Sequence, residues 1–89
     1  MISYSYEIGE KLNEKLKKLA RKNKNLYDSV QKQIIKIASN PQLGKPLRYN
    51  LKGKLRVHIG HFVLVYEINE NELKIIFTEL EHHDKAYAR

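Results

Sequence analysis

Ile2, Tyr4, Tyr6 and Ile8 alternate with Ser3, Ser5 and Glu7, the period of two that a strand shows when one face is buried. After Gly9 the period lengthens. Leu12, Leu16 and Leu19 with Ala20 recur at helical spacing, beside a stripe of Lys11, Lys15, Lys18 and Lys22. Asn23-Lys24-Asn25 interrupts that pattern and offers a turn and an N-cap. A second helical stripe runs through Leu26, Val30, Ile34, Ile37 and Ala38. It should end near Asn40, because Pro41 disfavours helical backbone at the residue before it. Gln42 to Pro46 reads as a loop, and no repeat or low-complexity tract is present.

The second half predicts a meander of strands. With Gly60-His61 as a two-residue turn, Ile59 meets Phe62, Val57 meets Leu64 and Leu55 meets Tyr66 on one apolar face. The other face pairs His58 with Val63, Arg56 with Val65 and Lys54 with Glu67. A second turn at Glu70-Asn71 would set Ile68 against Leu73, Tyr66 against Ile75 and Leu64 against Phe77, and would extend a charge row Lys54–Glu67–Lys74. The predicted order is β-α-α-β-β-β. The class is α+β, an antiparallel sheet with an N-terminal helical hairpin packed on the face of Leu55, Val57, Ile59, Phe62, Leu64, Tyr66, Ile75 and Phe77. Tyr4 and Tyr6 are expected in the core.

Eighty-nine residues allow one hydrophobic core, so residues 1–89 form a single domain. The absence of cysteine excludes disulfides and thiol catalysis and fits a reducing cytoplasm. The sequence offers no basic leader and no long apolar run, so neither a signal peptide nor a membrane span is expected. Charge changes the picture more. The net value is +7, with seven basic residues from Lys11 to Lys24 against Glu14 alone. Five more (Lys45, Arg48, Lys52, Lys54, Arg56) lie between Lys45 and His61 with no acid, whereas six acids from Tyr66 to Asp84 face only Lys74. Two basic blocks in so small a domain attract a polyanion or an acidic partner. The alternative is a lysine-rich solvated helix and a charge that serves solubility.

The run from Leu51-Lys52-Gly53 through Lys54-Leu55-Arg56-Val57-His58-Ile59, the turn Gly60-His61, and Phe62-Val63-Leu64-Val65-Tyr66-Glu67-Ile68 resembles the central signature of RelE/ParE toxins. That signature runs leucine-x-glycine, an arginine-rich strand, a glycine turn, an aromatic, and a strand ending tyrosine-glutamate. Asn40 to Leu47 is similar to the family's loop after the helical hairpin, and His82-His83-Asp84-Lys85-Ala86-Tyr87 to its ending His-Arg-x-x-x-Tyr. The resemblance implies a toxin held inactive by a cognate, RelB-like antitoxin in a hetero-oligomer. RelE-like members cleave mRNA in the ribosomal A site without a metal or other cofactor, and ParE-like members poison DNA gyrase; a degenerate relative that only binds nucleic acid is the remaining alternative. For the first, the partners are the ribosome, its mRNA and ribosomal RNA.

Carried over by position, Arg56 matches the first basic residue of the arginine-rich strand, and His58 stands where a second arginine or lysine is common. Val63 and His83 stand where arginines are expected, while His82 and Tyr87 match. The candidate catalytic set is therefore Arg56, His58, His82, His83 and Tyr87, with cations to stabilise a crowded phosphorane and imidazoles to move protons. Lys45, Arg48, Lys52 and Lys54 are candidates for phosphate binding; Lys54 could instead be taken up by Glu67. If the last strand continues past Thr78, Leu80 and His82 share the open face with His58 and gather three or four imidazoles at one end of the sheet. Zinc held by three histidines is the rival chemistry, but the spacing matches no zinc motif. Val63, Val65, Ile76 and Leu80 would form an apolar patch on the open face, suited to an antitoxin helix with acidic flanks.

Overall fold

The computed structural model describes residues 4–46 and 53–83. Strand β1 (Ser5–Ile8) leads into helix α1 (Glu10–Lys22), and helix α2 (Lys24–Ser39) follows after the single residue Asn23. The tight link works because Asn23 ends one helix and starts the next. Its N–H bonds to the Leu19 carbonyl while its side chain accepts from the Leu26 N–H, satisfying orphaned backbone groups on both sides. A short 3-10 turn (Pro41–Leu43) and the two-residue β2 (Lys45–Pro46) precede β3 (Lys54–Ile59), β4 (Phe62–Asn69) and β5 (Lys74–His82).

The sheet is five-stranded, in the order β1-β5-β4-β3-β2, and mixed, because β1 runs parallel to β5. The fold class is the predicted α+β, but the wholly antiparallel sheet gives way to this parallel edge pair and the extra short strand. The helices cover one face. Leu12 and Leu16 of α1 and Val30, Ile34 and Ile37 of α2 pack on Ile59, Leu64, Tyr66, Ile75, Phe77 and Leu80. Tyr4 is half-buried against this core, its hydroxyl donating to Glu70 Oε1 at 3.0 Å. Tyr6 is 46% exposed. It was expected inside, but β1 is an edge strand and Tyr6 only reaches the ring of Phe77, 5.9 Å away edge-on.

The first hairpin has the predicted register at every pair from Ile59–Phe62 to Lys54–Glu67. Gly60 supplies the positive φ of 61° that the tight turn needs. The second hairpin differs. Its turn spans Glu70–Leu73, with Leu73 at φ 50°, so Asn69 meets Lys74, Ile68 meets Ile75 and Tyr66 meets Phe77. Thr78 then bulges. Val65 pairs with Glu79, Leu64 with Leu80, Val63 with Glu81 and Phe62 with His82, and the Thr78 hydroxyl reaches the Val65 carbonyl at 3.3 Å. One inserted residue exchanges the two faces of everything after it. Leu80 therefore enters the core at 2% exposure instead of joining the open face. Lys74 bonds Glu7 at 3.2 Å and Glu72 at 3.7 Å rather than extending the row beyond Glu67. The neighbouring Glu7 carboxylate, above all, raises its pKa.

Candidate functional site

The face away from the helices carries three cross-strand rows, fixed by the pairings of β2 to β5. One reads Lys45, Arg56, Val65, Glu79; the next His58, Val63, Glu81; the third Lys54, Glu67, Ile76. The face is thus divided, cationic on β2 and β3 and acidic on β5. Val63 and Val65 are fully or almost fully buried and Ile76 is half-buried, so with Leu80 in the core the described residues present no bare apolar patch of the kind expected. Arg56 is half-buried in β3. Lys54 is held by Glu67 at 3.2 Å, so of the two roles open to it the structure displays the ion pair.

The four histidines collect at one end of the sheet, as two pairs. The His58 and His83 rings lie 5.5 Å apart, and the His61 and His82 rings stack at 6.2 Å. The backbone closes this end, with the His83 N–H donating to the His61 carbonyl at 2.7 Å. His82 shares the side of Phe62, whose ring it meets edge-on at 5.5 Å, and not the open face with His58. Among the described residues no group of three or more possible ligands is placed to hold a metal ion. Arg48, Lys52 and Tyr87 lie outside the described residues.

Tyr66 positions the cationic edge from within. Its buried hydroxyl accepts from the Gly44 N–H and donates to the Pro41 carbonyl, both at 2.8 Å. A side chain at position 44 would stand 2.5 Å from that hydroxyl and 2.8 Å from the Arg56 carbonyl, so only glycine lets the chain pass here into β2. Burial raises the Tyr66 pKa, offset in part by the Gly44 N–H. Since the folded value lies above the ordinary one near 10, this group's stabilisation is complete below that pH and is lost as pH rises through the folded value. Tyr66→Phe leaves two backbone groups unpaired and should cost about 1–3 kcal/mol at neutral pH. It should also flatten the fall in melting temperature above about pH 10. Thermal unfolding of both proteins from neutral to alkaline pH measures the two effects, and an unchanged melting temperature would remove the pin from the account.

Glu79 and Glu81 are the residues of this face that sequence reasoning missed. Glu79 is exposed; Glu81 is half-buried and lies 3.6 Å from Lys15 Nζ, which also donates to the Leu80 carbonyl at 2.7 Å. Lys15 thereby caps the outer edge of β5 just past Phe77, where pairing with β1 stops. Gln33 and Lys36 of α2 were missed as well; they line a groove of about 360 Å³ with Leu43, Lys45, Arg56, Val57 and His58. None of the helices described is long and apolar enough to cross a membrane.

The family described as the ParE toxin of type II toxin–antitoxin systems matches residues 6–87. A protein of Methanocaldococcus jannaschii named as a candidate toxin, RelE4, is 37% identical over 87 residues, covering 97% of this chain and 93% of the relative. Among solved structures, the RelBE2 toxin–antitoxin complex of Mycobacterium tuberculosis superposes with a TM-score of 0.78 at 22% identity, over 91% of this chain and 99% of the other. The RelE–RelB complex of Pyrococcus horikoshii gives 0.72 at 16% identity, over 92% and 97%.

Proposed function

We propose, for a chain that belongs to the RelE/ParE superfamily of type II toxins, that it acts as a ribosome-dependent mRNA endonuclease restrained by an antitoxin. The observation that carries the reading is the meeting of a strand-borne arginine with a histidine pair. Arg56 and His58 project from the same face of β3, and the His83 ring lies 5.5 Å from that of His58. In the reaction the 2′-hydroxyl of the RNA attacks the adjacent phosphorus as the bond to the 5′-oxygen breaks. One proton leaves the attacking hydroxyl and one is delivered to the departing oxygen. Two imidazoles suit that exchange because histidine takes up and releases protons near neutral pH. Arg56, with Lys45 beside it in the same row, offers a fixed cation where charge gathers on the equatorial oxygens. Tyr87 would orient the phosphate or stack on a base.

The exposed lysines of α1 (Lys11, Lys15, Lys18 and Lys22) would dock on ribosomal RNA. An antitoxin with acidic flanks would cover the cationic edge of the sheet, and Val63, Val65 and Ile76 then lie beneath its footprint rather than forming an exposed anchor. Inducible expression with mapping of 5′ ends on a reporter mRNA tests the reading. Cuts at fixed codon positions that need translation, and that fall at least tenfold in His58→Ala/His83→Ala, are expected. Growth arrest without cuts points instead to the gyrase-directed reading, which the acidic half of the face favours because Glu79 and Glu81 repel a phosphate chain.

A further inference from the structure

A larger groove, of about 520 Å³, opens between α1 and α2 beside Ile8, the last residue of β1, and shares no residue with the open face of the sheet. Helical spacing builds it. Asn13, Lys17, Ala20 and Arg21 fall on one side of α1 at steps of three and four, and Tyr27 and Gln31 stand one turn apart on α2. Ile8 and the buried Leu16 supply an aliphatic lining, and the Tyr27 ring is half-buried against the core. Asn13, Lys17 and Arg21 are exposed and Gln31 is half-buried. No acidic residue lines the groove, so nothing within it balances the two cations. Among the described residues, the side chains of Asn13, Lys17, Arg21, Tyr27 and Gln31 make no hydrogen bond or ion pair with the rest of the molecule. Two carboxamides, a phenol and two cations thus converge on one concavity with their bonding capacity still open.

We propose that the groove holds one adenine nucleotide of an RNA strand, with the base against Tyr27, Ile8 and Ala20, its edge at Asn13 and Gln31, and a phosphate at Lys17 and Arg21. The volume of about 520 Å³ lies within the range of about 300–1,000 Å³ usual for small-ligand sites. A base offers a flat face to the phenol ring. Adenine in addition brings a 6-amino donor beside the N7 acceptor, the pair that one carboxamide meets with its oxygen and its amide N–H. Inorganic phosphate answers only the cations. An acidic peptide answers the cations and the aliphatic lining but gives Tyr27 nothing to stack on. Lys18 and Lys22 adjoin Lys17 and Arg21 in the chain, so a strand held by the α1 lysines passes the mouth of the groove. The assignment rests on the ribosome-directed reading in that respect: the strand is ribosomal RNA, not the mRNA that is cut.

The groove is tested without ribosome or cleavage, by amide chemical-shift titration of the purified protein with AMP, with IMP (an oxygen in place of the 6-amino group), with inorganic phosphate and with tetraglutamate. AMP should shift the amides of residues 13–21 and 27–31 and bind at least about fivefold more tightly than IMP, the worth of one hydrogen bond. Asn13→Ala/Gln31→Leu should remove that preference. Lys17→Ala/Arg21→Ala should weaken both nucleotides by about tenfold while the melting temperature holds, since both side chains are exposed. The proposal is overturned if phosphate or tetraglutamate binds as tightly as AMP, if shifts appear only on the open face at residues such as 56, 58 and 83, or if AMP causes none. A chain that arrests growth without cutting RNA, yet shifts these amides with AMP, keeps the nucleotide site and loses the nuclease. One that cuts RNA with these amides silent keeps the nuclease and loses the site.

Discussion

Arg56→Ala should lower mRNA cleavage in a translating extract by about 10²–10³-fold, the cost of removing one fixed donor from a developing oxyanion. The size follows from placement. Arg56 sits inside β3, paired on one side with Val65 and on the other with Lys45, so its backbone is held by two neighbours before substrate arrives. Little reorganisation is then needed when charge builds on the phosphorane. Arg56→Lys keeps the charge but loses the planar fork that grips two oxygens at once, and should recover only part of the activity. Because the side chain is half-buried at the sheet surface, stability should change by no more than ~1 kcal/mol. Cleavage within threefold of wild type, in a protein with unaltered melting, would remove Arg56 from the chemistry.

Phe77→Ala is the substitution expected to damage the fold most. The ring is fully buried, 5.6 Å from Tyr66 and 5.9 Å from Tyr6, and β5 carries it between β1 and β4. Truncation leaves a cavity where α1, β1 and β4 converge and should cost about 3–5 kcal/mol. A domain of this size commonly has only ~5–10 kcal/mol in total. Urea unfolding at neutral pH should therefore show a midpoint lowered by about a third or more, with loss of the folded baseline as the extreme. Ile76→Ala, one residue away on the half-buried open face, should cost less than half as much. Equal losses at the two positions would contradict the placement of the core.

The contrast between neighbouring residues explains what the sequence disclosed. Strands β3 and β4 were legible to the residue because a glycine turn and uninterrupted alternation leave one register that matches both faces. Strand β5 was not. Its turn places a leucine at positive φ, which no turn residue advertises, and its alternation changes phase midway. Ile75 and Phe77 are core, but so is Leu80. That change of parity was the available sign of the bulge at Thr78. It would have put Glu79 and Glu81 on the open face and withdrawn Leu80 and His82 from it. The first hairpin alone brings His58 and His61 to one end of the sheet, and the arrival of the other histidines there was readable once the last strand was continued past Thr78. Which imidazole meets which depended on the bulge. The parallel partner of β1 was hidden for another reason: an edge pairing between distant segments leaves no periodic mark at either one.

That pairing also orders events during synthesis. Among the described residues Ser5 to Ile8 find sheet neighbours only at Lys74 to Phe77, so the strand made early has no seat until β5 has been made. The helical hairpin, built from local contacts, is free to form first. Closure of the sheet around Phe77 is expected last, because long-range pairing carries the larger entropic cost of loop closure.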